Sequence, residues 1–156
     1  MPVHNVHERL LPMGAAEVGG LIDTLSGGDS DLLWPHGDWP AMEFDRPLST
    51  GAVGGHGPVR YTVAAYVPGT WVRFAFSGPR GFHGFHEYAV LPVDEKRTIL
   101  RHTLSMRVTG TARLTWPLAY RWLHDACLED SLDRAAPGTA RSRWSPYVRF
   151  LHALAR

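Results

Sequence analysis

The period of the apolar positions changes twice along the chain, near residues 42 and 110. Residues 3–11 (VHNVHERLL) read as a first strand, broken by Pro12 and Gly14. AAEVGGLIDTL follows, with Val18, Leu21, Ile22 and Leu25 at helical spacing. Its two internal glycines each cost about 1 kcal/mol relative to alanine, so this helix must lean on tertiary packing. Ser26-Gly27-Gly28-Asp29 ends it. Ser30 or Asp31 would cap a short second helix through Leu32-Leu33-Trp34, stopped by Pro35.

From 42 to 109, short runs rich in Val, Phe, Tyr and Thr alternate with turn residues. MEFDR, PVRYTVAAYV, WVRFAFS, FHEYAVLPV and RTILRHTLSMRV are separated by LSTGAVGGHG, PGT, GPRG and DEK. This predicts an antiparallel meander with hairpin-sized connections. Val72, Phe74 and Phe76 share one face of their strand, as do Leu100, His102, Leu104 and Met106 of theirs; Arg73, Arg101, Thr103 and Arg107 take the opposite faces. Such a sheet is covered on one side and wet on the other.

After Gly110 the period is helical to about Ala136, and Pro117 marks either the first turn or a kink. The first half carries Leu114, Trp116, Leu118, Ala119, Trp122 and Leu123, which predicts burial on most sides. Asp125, Glu129, Asp130, Asp133 and Arg134 place the polar positions later. Beyond Pro137-Gly138, Ser145-Pro146 reads as a cap and first residue of a short amphipathic helix. Trp144, Tyr147, Val148, Leu151 and Leu154 form its apolar stripe, expected to dock on its own domain or on a second subunit in a homodimer. The expected organisation is one domain over 1–136, then a loop and helix over 137–156.

Composition narrows the classes. A chain of 156 residues can bury roughly 70% of its unfolded surface. Net charge is +1, without the basic excess of a nucleic-acid binder. The one cysteine, Cys127, precludes an internal disulfide and a cysteine-based zinc site. No run approaches 18 apolar residues and the first 14 residues have no signal-like apolar core, so a cytoplasmic protein without a membrane span is expected. A single lysine against fifteen arginines fits a GC-rich, bacterial coding bias.

The order of strand, two short helices, a long antiparallel run and one long helix resembles the helix-grip fold of the START-like SRPBCC superfamily, which includes polyketide cyclases and dehydrases, lipid carriers and birch-pollen-allergen-like proteins. PRGFHGFHEY (79–88), RTILRHTLSM (97–106) and WPLAYRWLHDACLEDSLD (116–133) resemble the corresponding stretch in bacterial members of unassigned function. The resemblance covers about residues 3–136; the terminal helix departs from it. It implies an α+β fold, with a curved antiparallel sheet wrapped around a long C-terminal helix. It also implies a cavity between them for a hydrophobic or amphipathic small molecule, without a cofactor.

Nine histidines raise the question of metal. His4 and His7, like His83 and His86, are three apart on predicted strands and so point to opposite faces. With no HExxH present, no built-in metal site is expected. The run Gly51-x-x-Gly54-Gly55-x-Gly57 precedes a strand and lacks a P-loop Lys-Ser/Thr, which predicts a loop or bulge at the cavity rim. There is no G-x-S-x-G elbow, and Cys127 sits among apolar neighbours as a packed thiol.

The strand before His102 has two parities: His86, Tyr88 and Val90, or Phe85, Glu87, Ala89 and Leu91. A turn at Asp94-Glu95-Lys96 pairs Val90 with Leu100 and Tyr88 with His102, bringing His86, Tyr88 and His102 to one inner surface. These three are the candidates for proton transfer. Tyr61, Phe74, Phe76, Leu104, Met106 and Trp116 complete the expected ligand-binding surface. His124 either reaches the ligand or sits on the surface near Arg121. Three uses remain open: a carrier, a cyclase or dehydratase, and a partner-binding module.

Overall fold

The computed structural model describes residues 1–136, 138 and 143–155; the connection expected over 137–142 lies largely outside the described residues. Seven strands form one antiparallel sheet: β1 (Pro2–Leu11), β2 (Glu43–Phe44), β3 (Val53–His56), β4 (Val59–Val67), β5 (Trp71–Gly78), β6 (Phe82–Pro92) and β7 (Thr98–Val108). Their order is β1-β7-β6-β5-β4-β3-β2, so only the β1–β7 pairing joins strands distant in sequence. β6 and β7 pair Val90 with Leu100 and Tyr88 with His102, the register expected from the short turn.

The helices are α1 (Ala15–Asp23), α2 (Ala112–Thr115), α3 (Arg121–Ala135) and α4 (Pro146–Leu154). α2 and α3 are one continuous helical segment, joined by a π-type turn at Trp116–Tyr120. Pro117 has no N–H to give the ladder, so the helix widens there. The indole of Trp122 donates to the Pro117 carbonyl at 3.1 Å.

Gly19 explains how α1 tolerates glycine. A Cβ built on it would lie 2.0 Å from the Gly69 carbonyl oxygen in the β4–β5 turn. The helix therefore sits closer to the sheet than any other residue allows, and Val18 and Ile22 are fully buried beside it.

Four expectations change. No helix forms at 32–34; the only helical turn nearby is a 3-10 turn at Gly28–Ser30. Asp31 still caps, because its carboxylate accepts from the amides of Leu33 (2.9 Å) and Trp34 (2.7 Å). The capped segment is a turn, tied to α3 by Arg134, which donates to the Asp31 carbonyl at 2.7 Å.

The glycine run is a strand at its centre. β3 pairs with β4, and a Cβ on Gly54 would meet the Glu43 carbonyl at 1.9 Å, so glycine here admits the edge strand β2.

Burial along the long helical segment departs from that expected, although Trp116 is buried as read. Leu114 (67% exposed), Leu118 (62%) and Trp122 (44%) face outward, whereas Asp130, Ser131 and Asp133 are buried. Polar positions lie inside because each has a partner: Ser131 bonds to Tyr88 and Leu33, and Asp133 to Arg9.

The docking face of α4 is also rotated. Ser145 caps the helix by accepting from the Val148 amide, and the buried residues are Val148 and His152. Tyr147 and Leu154 of the expected stripe are exposed, as is Phe150.

Candidate functional site

The concave face of the sheet, the 34–40 segment, the π-type turn, α3 and α4 enclose a cavity of about 470 Å³, within the range of small-molecule sites. Its wall is chiefly aromatic and aliphatic, and five histidines interrupt it: His56, His86, His102, His124 and His152. They come from β3, β6, β7, α3 and α4, so no local motif could announce them.

Of the expected residues, Phe76, His86, His102, Leu104, Trp116 and His124 line this cavity. Tyr61, Phe74, Tyr88 and Met106 do not. Tyr61 and Phe74 are fully buried in the layer behind, where the Phe74 and His86 rings stack at 4.8 Å. Tyr88 has the predicted inward parity, but its hydroxyl passes the cavity to meet the Ser131 hydroxyl at 2.9 Å. Met106 packs with Phe82, Val108 and Trp116. Parity gave the inward face in each case; the packing and hydrogen bonds of Tyr61, Phe74, Tyr88 and Met106 hold them away from the void.

Trp34, Trp39, His56 and His152 also line the cavity, beyond the residues expected from the sequence. The two tryptophans follow the Asp31 turn, Trp34 at the end of the short helix expected there, and His56 lies within the glycine run. Among the aromatics of the long helical segment, Trp116 and Tyr120 face the cavity and Trp122 does not.

His86 and His102 are buried on adjacent strands with Nδ1 of His86 3.2 Å from Nε2 of His102. Burial pushes both imidazoles well below the ordinary histidine value, reinforced for His86 by His56 and His124 and for His102 by His124 and His86. Both are therefore neutral, and one donates to the other. The remaining nitrogens, His86 Nε2 and His102 Nδ1, have no hydrogen-bond partner among the described residues. His124 is similar: burial lowers its pKa against the pull of Asp125, and its Nε2 is buried and unpaired. Its ring lies 5.3 Å from that of His102. Burial also carries His56 down to about 3, with His124 and Arg60 adding to the effect. Cys127 lines the cavity, but burial pushes its thiol well up and away from the reactive thiolate.

Behind His124 lies a polar group shared by β1 and α3. Asp125 Oδ1 is 3.2 Å from His7 Nε2, 3.3 Å from His124 Nδ1 and 3.0 Å from the donating Asn5 amide nitrogen. His7 Nδ1 meets Glu129 at 2.7 Å. Burial opposes charge on His7, but the bonds to Asp125 and Glu129 outweigh it and raise its pKa. The spacing argument for His4 and His7 holds within the strand. The grouping arises across elements, which spacing along one strand does not report.

A curved antiparallel sheet around a long C-terminal helix, with a cavity between them, is the START-like helix-grip architecture, and the chain has this fold. Similar solved structures include norcoclaurine synthase from Thalictrum flavum in complex with dopamine and hydroxybenzaldehyde (13% identity, TM-score 0.64, 86% of each chain covered). CalU16 from Micromonospora echinospora is another (12%, TM-score 0.60, 97% of this chain and 83% of that one). A START superfamily protein from Mycobacterium smegmatis is a third (9%, TM-score 0.57, 85% and 99%). At these identities the likeness establishes the fold alone. No family profile and no curated protein sequence matches the chain. Among the described residues, no helix is long and apolar enough to cross a membrane.

Proposed function

We propose that this chain binds one apolar small molecule, aromatic in character and bearing at least one oxygen, in the cavity between the sheet and the long helical segment. One observation carries the reading: three neutral histidines, His86, His102 and His124, line an otherwise largely apolar cavity, and each keeps a buried ring nitrogen unpaired among the described residues. A buried unpaired polar atom costs about 1–3 kcal/mol. A ligand oxygen that bonds one of them recovers that cost, whereas a pure hydrocarbon does not. Stacking surfaces from Trp34, Trp116 and Phe82 suit a flat ligand. The neighbouring fold that holds dopamine and hydroxybenzaldehyde supports the same choice of ligand class.

The test compares 2-naphthol with naphthalene by calorimetry. Wild-type protein is expected to prefer the naphthol, and His102→Leu and His86→Leu to reduce that preference by about 5- to 100-fold. Equal affinity for both probes in wild-type protein overturns the reading. Mass spectrometry of small molecules released on denaturation would identify the resident ligand.

A second reading, a cyclase- or dehydratase-like enzyme, is favoured by the 3.2 Å approach of His86 and His102, which lets a proton pass between two imidazoles. His102→Gln separates the two. A carrier retains binding within about tenfold, or ~1.4 kcal/mol. An enzyme relying on His102 loses roughly 10²–10⁴ in turnover.

A further inference from the structure

The geometry points to a divalent transition-metal site formed by His7 of β1 with His124 and Asp125 of α3, behind the cavity wall. One donor atom from each residue lies within 4.8 Å of the other two. Two edges are shorter: His7 Nε2 and His124 Nδ1 stand 3.2 and 3.3 Å from the same Asp125 oxygen. Ligands about 2.0–2.1 Å from a tetrahedral zinc ion are separated by about 3.3–3.4 Å, so those edges already have the required length.

Two further features support a cation rather than an ion-pair network alone. Glu129 holds Nδ1 of His7 at 2.7 Å, the carboxylate–histidine arrangement that orients a metal-binding imidazole through its other nitrogen. Asn5 donates to Asp125 at 3.0 Å and fixes the carboxylate. Two imidazoles and one carboxylate suit zinc, cobalt or nickel over calcium or magnesium, and three protein ligands leave a fourth position open.

The site would act on the cavity through His124, which belongs to both. Without metal, Nδ1–H of a neutral His124 donates to Asp125 and the buried Nε2 is an acceptor. With metal on Nδ1 the proton resides on Nε2, and His124 becomes a donor. Loading would then favour ligands that only accept. This consequence rests on the cavity reading above; the metal site itself does not.

The test uses the full chain, stripped with chelator, and Zn²⁺ or Co²⁺ alone. Calorimetry should give one tight equivalent of Zn²⁺, and Co²⁺ should develop the visible absorption of a tetrahedral ion. His7→Gln and Asp125→Asn, checked for folding by circular dichroism, should weaken binding at least tenfold. Glu129→Gln should weaken it 10- to 100-fold. His4→Gln, at an exposed residue on the other face of β1, should change nothing. Absence of saturable binding to wild-type protein overturns the proposal, as does undiminished affinity in folded His7→Gln and Asp125→Asn. For the coupling, Zn²⁺ should tighten 2-acetonaphthone relative to naphthalene. Zinc binding without that change refutes the coupling and leaves the metal site standing.

Discussion

His86 and His102 face each other across β6 and β7 with their ring nitrogens 3.2 Å apart, and both rings are buried. Two positive charges cannot be held there, so the pair is a neutral donor and acceptor, and either nitrogen can carry the shared hydrogen. Tyr61 and Phe76 add ring contacts to His86 at 4.8 and 5.2 Å, and Tyr88 adds one to His102 at 4.8 Å, which fixes both planes. The pair is a rigid polar element in an apolar layer.

This predicts non-additive mutations. His102→Leu strands Nδ1 of His86 and should cost about 1–3 kcal/mol. His86→Phe alone should do the same to His102. The double variant removes both polar partners and should be less destabilised than the sum by at least about 0.5 kcal/mol. Urea denaturation of the four proteins measures this; strict additivity would show that the nitrogens do not interact.

Acid should weaken the fold before any carboxylate is protonated. His56 is held at about 3 by burial, with His124 and Arg60 adding to the effect, and the Tyr61 hydroxyl lies 3.3 Å from its Nδ1. Its ordinary value is about 6.5. Below that pH the unfolded chain takes up a proton that the folded chain refuses, so stability is complete above about pH 7 and falls toward pH 3. His86 acts in the same direction. Each such histidine contributes a slope of at most about 1.4 kcal/mol per pH unit. His56→Gln should flatten the fall in urea midpoint between pH 7 and 5. An unchanged slope would mean that His56 is already charged in the folded state.

The sheet and its inward face were legible in the sequence because alternation has one physical cause, a layer wet on one side. His86 and His102 followed from parity and one turn length, and the structure has that register. What was not legible depended on partners distant in the chain. Asp130, Ser131 and Asp133 look like a solvent face until Trp39, Tyr88 and Arg9 are placed against them. Leu118 and Trp122 look like core in a helix whose opposite side fills the cavity. His7 and Asp125 are 118 residues apart, and only the β1–β7 pairing, which sets β1 beside α3, brings them together. Periodicity reports which side of an element is buried when burial is apolar; it is silent where burial is satisfied by hydrogen bonds.

Asp130 predicts how the cavity mouth is held. Its Oδ2 accepts from two indoles, Trp39 at 2.8 Å and Trp144 at 2.9 Å. His152 of α4 packs on both rings at 4.8 and 4.5 Å. One carboxylate thus joins the 34–40 segment, α3 and the start of the terminal helix. Asp130→Leu should leave the buried Trp39 indole N–H unpaired, at about 1–3 kcal/mol, and the half-buried Trp144 N–H without its carboxylate. Removing residues 144–156 should lower the melting temperature and red-shift tryptophan emission as Trp39 becomes wetted. A truncated protein that melts like the full chain would show that α4 adds nothing to the body.

Gly19 and Gly20 are adjacent in α1 and should respond to alanine with opposite signs. Both substitutions gain helix propensity, about 0.8–1.0 kcal/mol each. At Gly20, which is exposed with nothing within 4 Å of the added methyl, that gain is expected in full as a higher urea midpoint. At Gly19 the methyl would lie 2.0 Å from the Gly69 carbonyl oxygen, a backbone atom that cannot rotate away. α1 would have to lift from the β4–β5 turn, disturbing the bonds that Asp23 accepts from the Gly69 amide and the Tyr66 hydroxyl, both 2.8 Å. Overpacking of this kind costs about 1–3 kcal/mol, which exceeds the propensity gain over most of its range. Gly19→Ala should therefore be the less stable of the two variants and less stable than wild type, measured by urea denaturation under the same conditions. If both variants are stabilised alike, α1 does not pack against the turn through Gly19, and its burial of Val18 and Ile22 needs another cause.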